Sequence, residues 1–520
     1  MKIMLLVSVL VKLKLLTPSG LISLIRGFYR SGVNLMTLVE IAAKRHGPQE
    51  AIVDDYHTFT YKELFQYSNR MATKFYDDFH LQPGMKVAIL CRNHTFLISS
   101  LCAVSRIGAD LHPLNTEMSL EQLKYFVKRY QYDAIIFDDE FKAIIEASNF
   151  TNQKIKLDPK QAINQEKPRV NQQKMPKSSK GRIILQTGGT TGKAKEAVHT
   201  PSLFYYLNPF MALLKRLRLT SYHTIYIGTP IFHGYGLAIL LLSFPLGKKC
   251  VLTNRFEAEK ACSIVQKHHV EVITVVPLML KRMLQYNHPQ LTSLRCIASG
   301  GALLDSVLIE ETTTKLGDIL YNLYGTSETG LNVIATPRDL RYSSQTIGRK
   351  VFGAVLDLKD KQMNTVPIGV VGQLYVKNSW SVGKKKNKWL RTGDLGYQDK
   401  NGYYYLCGRV DEMIISGGVN VFPSEVEQIL ITHPEIEDVV VIGIQDKEYG
   451  QRLQAFIQTD NLTESDITKW LKPRIARFQM PKKIHIIDDI PYTAVGKPDK
   501  KKIVEMITCV KGESMVGEIR

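Results

Sequence analysis

The chain has 520 residues, 44% of them hydrophobic and 22% charged. That is the composition of a soluble globular protein with more chain than one hydrophobic core serves, so two or more folding units are expected and a disordered or fibrous protein is excluded. The formal net charge of +19 suits anionic partners, but no zinc-finger spacing, RNP-like aromatic pattern or basic-region heptad accompanies it, which points away from nucleic acid and toward phosphorylated small molecules or an acidic membrane surface.

In chain order, residues 1–36 form a basic, amphipathic segment. Its first 30 residues hold five basic and no acidic side chains. The apolar run from Ile3 to Val11 is too short to span a bilayer, and no cleavage-site pattern follows. Two readings stand for it: a helix packed on the protein's own surface, or an interfacial helix on anionic lipid at the inner face of a membrane. Residues 51–64 read as a strand, a turn and a helix start. Lys86–Leu90 and Ala134–Phe137 read as buried strands, and Phe96–Arg106 as a helix. The alternation predicts an α/β fold with mostly parallel sheets. Residues 151–180 are polar and poor in large apolar groups, and read as a surface connection. Glycine-rich turns flanked by apolar runs recur from 181 to 409. The pattern then changes, so a boundary is placed near Asp411, between a large domain (37–410) and a small α+β domain (411–520) with its own strand, Val439–Ile444. Cys91, Cys102, Cys250, Cys262, Cys296, Cys407 and Cys509 are scattered and form no CxxC pair, which fits a reducing cytoplasm.

Local chemistry concentrates in a few stretches. Ile184–Lys195 runs from an apolar strand into Thr187, Gly188, Gly189, Thr190, Thr191, Gly192, Lys193, Ala194 and Lys195. Such a loop can turn backbone N–H groups inward as an anion nest, with hydroxyls and ammonium groups completing a phosphate cradle. Its spacing is not that of a Walker loop. Tyr324-Gly325-Thr326-Ser327-Glu328 offers a ring to stack on a purine, then a hydroxyl and a carboxylate for phosphate and Mg²⁺. The hydrolase elbow fails here because Thr329 replaces its last glycine. Asp394, in Thr392-Gly393-Asp394, could accept both ribose hydroxyls. Gly408-Arg409-Val410-Asp411 and Gly496-Lys497-Pro498 are weak by themselves.

In this order, with PIFHGYG, VVPLML, SGGALL, YNLYGTSETG, GRVDEMIISGGVNVFPSEVE and TAVGK, these pieces resemble the adenylate-forming superfamily of acyl- and aryl-CoA synthetases, adenylation domains and luciferases. The resemblance runs from about residue 38 to 505. Cys91-Arg92-Asn93-His94, Gly108-Ala109-Asp110 and Leu114-Asn115-Thr116 look most like bacterial long-chain fatty acyl-CoA synthetases. It implies ATP, Mg²⁺ and coenzyme A, and a fatty acid joined to CoA through an acyl-adenylate. The alternatives are an aryl or medium-chain acid, a carrier-protein phosphopantetheine as acceptor, or a catalytically dead binding module.

The resemblance also assigns roles. Thr187 to Lys195 would hold the ATP phosphates. The segment with Gly300, Gly301 and Ala302, and that with Tyr321, Asn322 and Tyr324, would line the adenine. Gly325, Thr326 and Ser327 would follow at the α-phosphate, with Glu328 on Mg²⁺. Asp394 and Arg409 would take the ribose. His233 would stand between acyl pocket and adenylate, with Gly234, Gly236 and Ala238 leaving a deep channel beside it. Asp411 would be the hinge, Lys497 the catalytic lysine, and Ser416, Gly417 and Gly418 part of a pantetheine tunnel. Three departures stand out. Gly188, Ala194 and Glu196 replace the usual Ser, Pro and Gly, and Glu196 beside a triphosphate would oppose binding. WSVGKKKNKW at 380–389 is compressed and basic, and Met480 lies where some relatives carry a basic residue.

Overall fold

The structure, a computed structural model, describes residues 7, 10, 11, 13, 15–159, 175, 177–187, 195–200, 202, 205–382, 386–446, 448–493 and 496–511, the side chains of 187, 195 and 507–511 excepted. Three sheets organise it. The six-stranded sheet runs Gln153–Leu157, Ala134–Asp138, Lys86–Leu90, Asp110–Pro113, Ile183–Thr187, Lys195–His199. All its pairings are parallel except the last hairpin. The predicted strands and helix of this region are present, as Lys86–Leu90, Ala134–Asp138 and Thr95–Ile107. That helix is buried along its whole length. His94 caps its start through Nδ1, which accepts from Leu97 N at 3.1 Å, and Gly108 in the left-handed region ends it.

The second sheet has 13 strands. From Leu320–Thr326 through Cys296–Gly300, Val272–Val275, Thr224–Ile227 and Lys249–Val251 to Glu50–Val53 it is parallel. Beyond Leu320–Thr326 it is antiparallel, through Gly330–Ala335, Thr346–Lys350, Tyr404–Arg409, Leu390–Gln398, Gly372–Lys377 and Val355–Lys359. The expectation of mostly parallel sheets thus holds for half of this sheet. Gly325 and Gly330 let Leu320–Thr326 fold directly back as a hairpin, and short returns of that kind impose antiparallel pairing. Residues 51–64 hold two strands rather than one, Thr58–Thr60 pairing back on Glu50–Val53 before the Thr60–Glu63 capping box opens a helix. The polar stretch 151–180 contributes the edge strand Gln153–Leu157, which needs to bury only Ile155 and Leu157.

After Arg409 the chain leaves this sheet and enters another. Val419–Val421, Ile414–Ser416, Gly450–Gln458 and Asp438–Asp446 are antiparallel, and Lys483–Ile487 adds parallel to Gly450–Gln458. Ile414, Val426, Leu430, Val441, Leu453 and Ile457 belong to a separate core. The architecture is therefore α/β, a large N-terminal body with a smaller C-terminal one. Among the described residues no helix is long and apolar enough to cross a membrane.

Candidate active site

The strand Cys296–Gly300 is wholly buried, and the chain turns out of it through Gly301 and Ala302. Its parallel neighbour Leu320–Thr326 buries Tyr321 and Asn322, half-buries Tyr324, and runs on into a turn with Ser327 exposed and Glu328 half-buried. The Tyr324 hydroxyl donates to Asp394 Oδ2. Burial, then the charge of Asp394, raises the tyrosine well above its ordinary pKa. Asp394 and Arg409 are register partners on adjacent strands. Arg409 Nη1 donates to Asp394 Oδ1 at 3.1 Å, and its Nε donates to Asp411 Oδ1 at 3.0 Å. Tyr324, Asp394, Arg409 and Asp411 are thus one connected group.

The turn holding Ser327 and Glu328 rests on a buried network. Thr326 Oγ1 accepts from Thr329 N at 3.1 Å. Asn332 Nδ2 donates to Thr329 Oγ1 at 2.7 Å. Asn378 Nδ2 donates to Thr329 O at 2.8 Å, while its Oδ1 accepts from Trp380 N at 3.0 Å and Ser381 N at 2.7 Å. Val382 N donates to Glu328 O at 3.0 Å. The compressed segment beginning at Trp380 is, in its first residues, the buried backing of this turn.

His233 occupies the N-cap of the helix Gly234–Ser243 without making a capping bond. Its Nε2 is buried with no hydrogen-bond partner among the described residues. Burial and the charge of Lys497 push its pKa down to about 4, so the imidazole is neutral at pH 7. The preceding loop is clamped by Asn93, whose Oδ1 accepts from Ile231 N at 3.0 Å and whose Nδ2 donates to Thr229 O at 3.3 Å. Lys497 arrives from the small body. Burial and then the charge of Arg409 lower its pKa, against the raising effect of Asp394 and Glu412. Gly496 lies so close to the large body that a β-carbon there would run into Val276. The structure therefore brings His233, Tyr324, Asp394, Arg409, Asp411 and Lys497 to one place, with the small body docked on the large one.

The remaining predicted residues are placed as follows. Thr187 and Lys195 are register partners closing a hairpin. Gly188, Gly189, Thr190, Thr191 and Gly192, the centre of the expected phosphate loop, lie outside the described residues. Ser416 is buried, and Gly417 and Gly418 form a two-residue hairpin turn with φ of 56° and 85°. Two positive φ values in such a turn are the conformation glycine alone adopts freely, so local geometry already demands both. Glu196 does not stand alone at the phosphate loop. Its Oε1 accepts from Arg129 Nη2 at 2.8 Å and Tyr130 OH at 2.9 Å. Burial raises its pKa, but the bonds from Tyr130 and Arg129 outweigh that and lower it. Gly236 does not open a channel, because a β-carbon there would strike the Pro230 carbonyl, whereas Gly234 and Ala238 are exposed. Sequence reading misses Asn332, Asn378 and the clamp made by Asn93. The one signal for Asn93 is its place in the run from Cys91 to His94.

This site fits an adenylate. Next to Lys497, Asp394 and Arg409, the His233 Nε2, which has no partner among the described residues, and the small-residue turn after Gly300 offer a polar atom and room. The fold and the site define a two-body nucleotide-using enzyme. Residues 39–384 match the AMP-binding enzyme family and residues 425–497 its C-terminal domain, and the chain belongs to this family. It is 29% identical over 457 residues to the 2-succinylbenzoate–CoA ligase of Oceanobacillus iheyensis, covering 85% of this chain and 93% of the relative. To the ligase of that name in Bacillus subtilis strain 168 it is 26% identical over 459 residues, covering 86% and 93%. The o-succinylbenzoate CoA synthetase of Bacillus subtilis, solved with its acyl-adenylate intermediate, superposes with a TM-score of 0.79 at 25% identity, covering 90% of this chain and 97% of that one. The amide bond synthetase McbA of Marinactinospora thermotolerans shares the fold at a TM-score of 0.80 and 20% identity, over 91% and 99%. The chain is an ATP-dependent acid–CoA ligase that works through an acyl-adenylate, using ATP, Mg²⁺ and coenzyme A. The expected long-chain fatty acid finds no support among these relatives.

Proposed function

We propose that the acid is aromatic, of the 2-succinylbenzoate class, rather than a long-chain fatty acid. The observation that carries this is the match to 2-succinylbenzoate–CoA ligases along 93% of the relative's length. The surroundings of His233 agree. Tyr235 donates its hydroxyl to Ala298 O at 2.7 Å, and its ring edge lies beside Gly300. A pinned aromatic ring is a rigid, flat wall, suited to an aryl group. Gly236 adds no depth. The fatty-acid reading keeps one observation, the exposed Gly234 and Ala238 along the same helix.

In this reading a substrate carboxylate displaces pyrophosphate at the α-phosphorus. Both reactants are anions, so the barrier is largely charge repulsion. Lys497 brings a fixed positive charge to that point, and Arg409 orients Asp394 for the ribose. Ser327 reaches the α-phosphate. Glu328 would hold Mg²⁺, which supplies further charge neutralisation when bound. Neutral His233 forms a wall whose Nε2 can accept or donate one bond without adding charge. The small body then swings about Asp411, Ser416–Gly418 passes the pantetheine arm, and the thiol, losing its proton, attacks the acyl carbonyl as the bond to the adenylate phosphate breaks and AMP leaves.

Pyrophosphate release with 2-succinylbenzoate, benzoate and palmitate, with and without CoA, tests the proposal. We expect kcat/KM for 2-succinylbenzoate to exceed that for palmitate by about 10⁴-fold or more, the scale on which a site built for polar groups rejects an analogue lacking them. Equal or better use of palmitate would reverse the choice.

A further inference from the structure

The helix Pro18–Ser31 is amphipathic in an inverted sense. Its buried residues are Gly20, Ser23, Gly27 and Ser31. Gly27 and Ser31 face the helix Leu35–His46, where a β-carbon on Gly27 would lie 3.3 Å from Thr37 and 3.4 Å from Ile41 and Ser31 Oγ donates to Glu40, while Gly20 lies against the Leu15 backbone. The large apolar residues point the other way: Leu21, Ile22, Ile25 and Tyr29 are 41%, 63%, 68% and 79% exposed. At about 100° per residue these four fall within one arc of roughly 100°, opposite the small face. Arg26 is exposed just beyond the edge of that arc, and Lys177 lies 5.2 Å from the centre of the Tyr29 ring; Arg30 turns back toward the protein, 3.9 Å from Glu40 and over the Phe65 ring. The first acidic residue of the chain is Glu40, which is buried.

The two readings of the N-terminal segment therefore divide between residues. Leu13 and Leu15 are buried in the main core and Leu10 packs against it. They anchor the segment to the protein, with Arg45 donating to Leu13 O. Ile22, by contrast, belongs to the outward face. Leu5 lies outside the described residues. The family match begins at residue 39, so this helix precedes it.

We infer that the outer face of Pro18–Ser31 is a docking surface for an anionic lipid bilayer. Leu21, Ile22 and Ile25 enter the interface, Tyr29 sits at its polar boundary, and Arg26 and Lys177 meet lipid phosphates. Charge complementarity selects this occupant. An apolar stripe bordered by cations only, with no acidic residue on the helix, is suited to a negative surface and poorly suited to self-association, which would oppose like charges.

The test is co-sedimentation of the full chain with phosphatidylcholine vesicles and with vesicles containing about one third phosphatidylglycerol. We expect binding to the anionic vesicles that weakens with salt. An I22E/I25E variant should lose at least tenfold in vesicle affinity while its melting temperature and pyrophosphate release stay unchanged. The inference is overturned if the full chain ignores anionic vesicles at low salt, or if the variant binds them equally well. It is also overturned if the variant melts earlier, which would show that the face is covered by the protein itself, or if its main effect is to turn a dimer into a monomer. None of these outcomes depends on which acid the enzyme uses.

Discussion

On the large-body side of the site, the turn with Ser327 and Glu328 is fixed by side-chain bonds among Thr326, Thr329, Asn332 and Asn378, with Asn332 and Asn378 both buried. On the small-body side, Lys497 is delivered by a tight loop whose bonds are its own: Thr493 N donates to Lys497 O at 2.8 Å and Lys497 N to Thr493 Oγ1 at 3.3 Å. What holds that loop on the large body is the close approach of Gly496 to Val276 and Leu278, with Lys281 donating to Glu437 O nearby. Buried bonds are costly to break because each leaves a polar group unpaired, whereas a van der Waals contact and an exposed bond such as that of Lys281, which water can replace, are undone without that penalty. On the proposed reading, one half of the site stays and the other leaves between the two half-reactions, and this difference in attachment is what that reading needs.

The largest expected effect comes from removing what the mobile half delivers. Lys497→Ala should slow acid-dependent pyrophosphate release by about 10²–10³-fold, the scale of one preorganised charge contact. Thioester formation from supplied acyl-adenylate should survive, and equal loss of both steps would erase the distinction between the halves. Because burial and Arg409 lower the pKa of Lys497, its charge is lost as pH rises through a value below that of a free lysine. Adenylation by the native enzyme should therefore decline at alkaline pH before thioester formation does.

Asp411→Pro should leave the docked arrangement in place and slow the second step by about tenfold or more, since proline fixes φ where the chain passes between sheets. Asp411→Ala is the control, because it also loses the bonds from Arg409 but keeps the backbone free. If both variants slow the thioester step alike, the effect belongs to the Arg409 pair and not to a hinge.

For the fixed half, Asn378→Ala removes donors and acceptors from Thr329 O, Trp380 N and Ser381 N at once. We expect a loss of about 2–4 kcal/mol in stability, read as a fall in melting temperature, with both half-reactions weakened together. An unchanged melting temperature would show that the turn does not depend on this network.

The same contrast explains what can be read without the structure. Strands such as Lys86–Leu90 and the helix Thr95–Ile107 declare themselves through apolar runs and period, and Asp394, Arg409 and Lys497 through short motifs whose order is informative. Asn332 and Asn378 declare nothing, and Asn93 only its place in the run from Cys91 to His94. Each is a lone polar residue, and its hydrogen bonds leave no periodic trace, least of all where the partners lie far along the chain, as Thr229 and Ile231 lie from Asn93. Gly417 and Gly418 are legible as small residues, but the hairpin that requires them is visible only once Ile414–Ser416 is paired with Val419–Val421. The bonds of Glu196 are hidden for a related reason, since Arg129 and Tyr130 lie far back along the chain from it.

Glu196 gives the smallest expected effect. If its carboxylate faced the triphosphate, Glu196→Gly would relieve repulsion and lower KM for ATP. The structure instead engages Oε1 with Arg129 and Tyr130, and those bonds hold the carboxyl below its ordinary pKa despite burial. At neutral pH it is therefore an ionised partner to Arg129, fixing the start of the strand that returns from the phosphate loop to the helix that ends near Tyr130. The Arg129 side chain is 43% exposed, so solvent screens the pair and its contribution to stability is small. Glu196→Gln keeps an acceptor for Tyr130 and should be nearly neutral. Glu196→Gly also frees the backbone of a strand and should lower the melting temperature slightly, by about 1 kcal/mol of stability. In neither variant should KM for ATP fall. A fall of more than about threefold in Glu196→Gln, more than loss of a screened surface pair accounts for, would place the carboxylate back at the triphosphate and make its bonds to Arg129 and Tyr130 incidental.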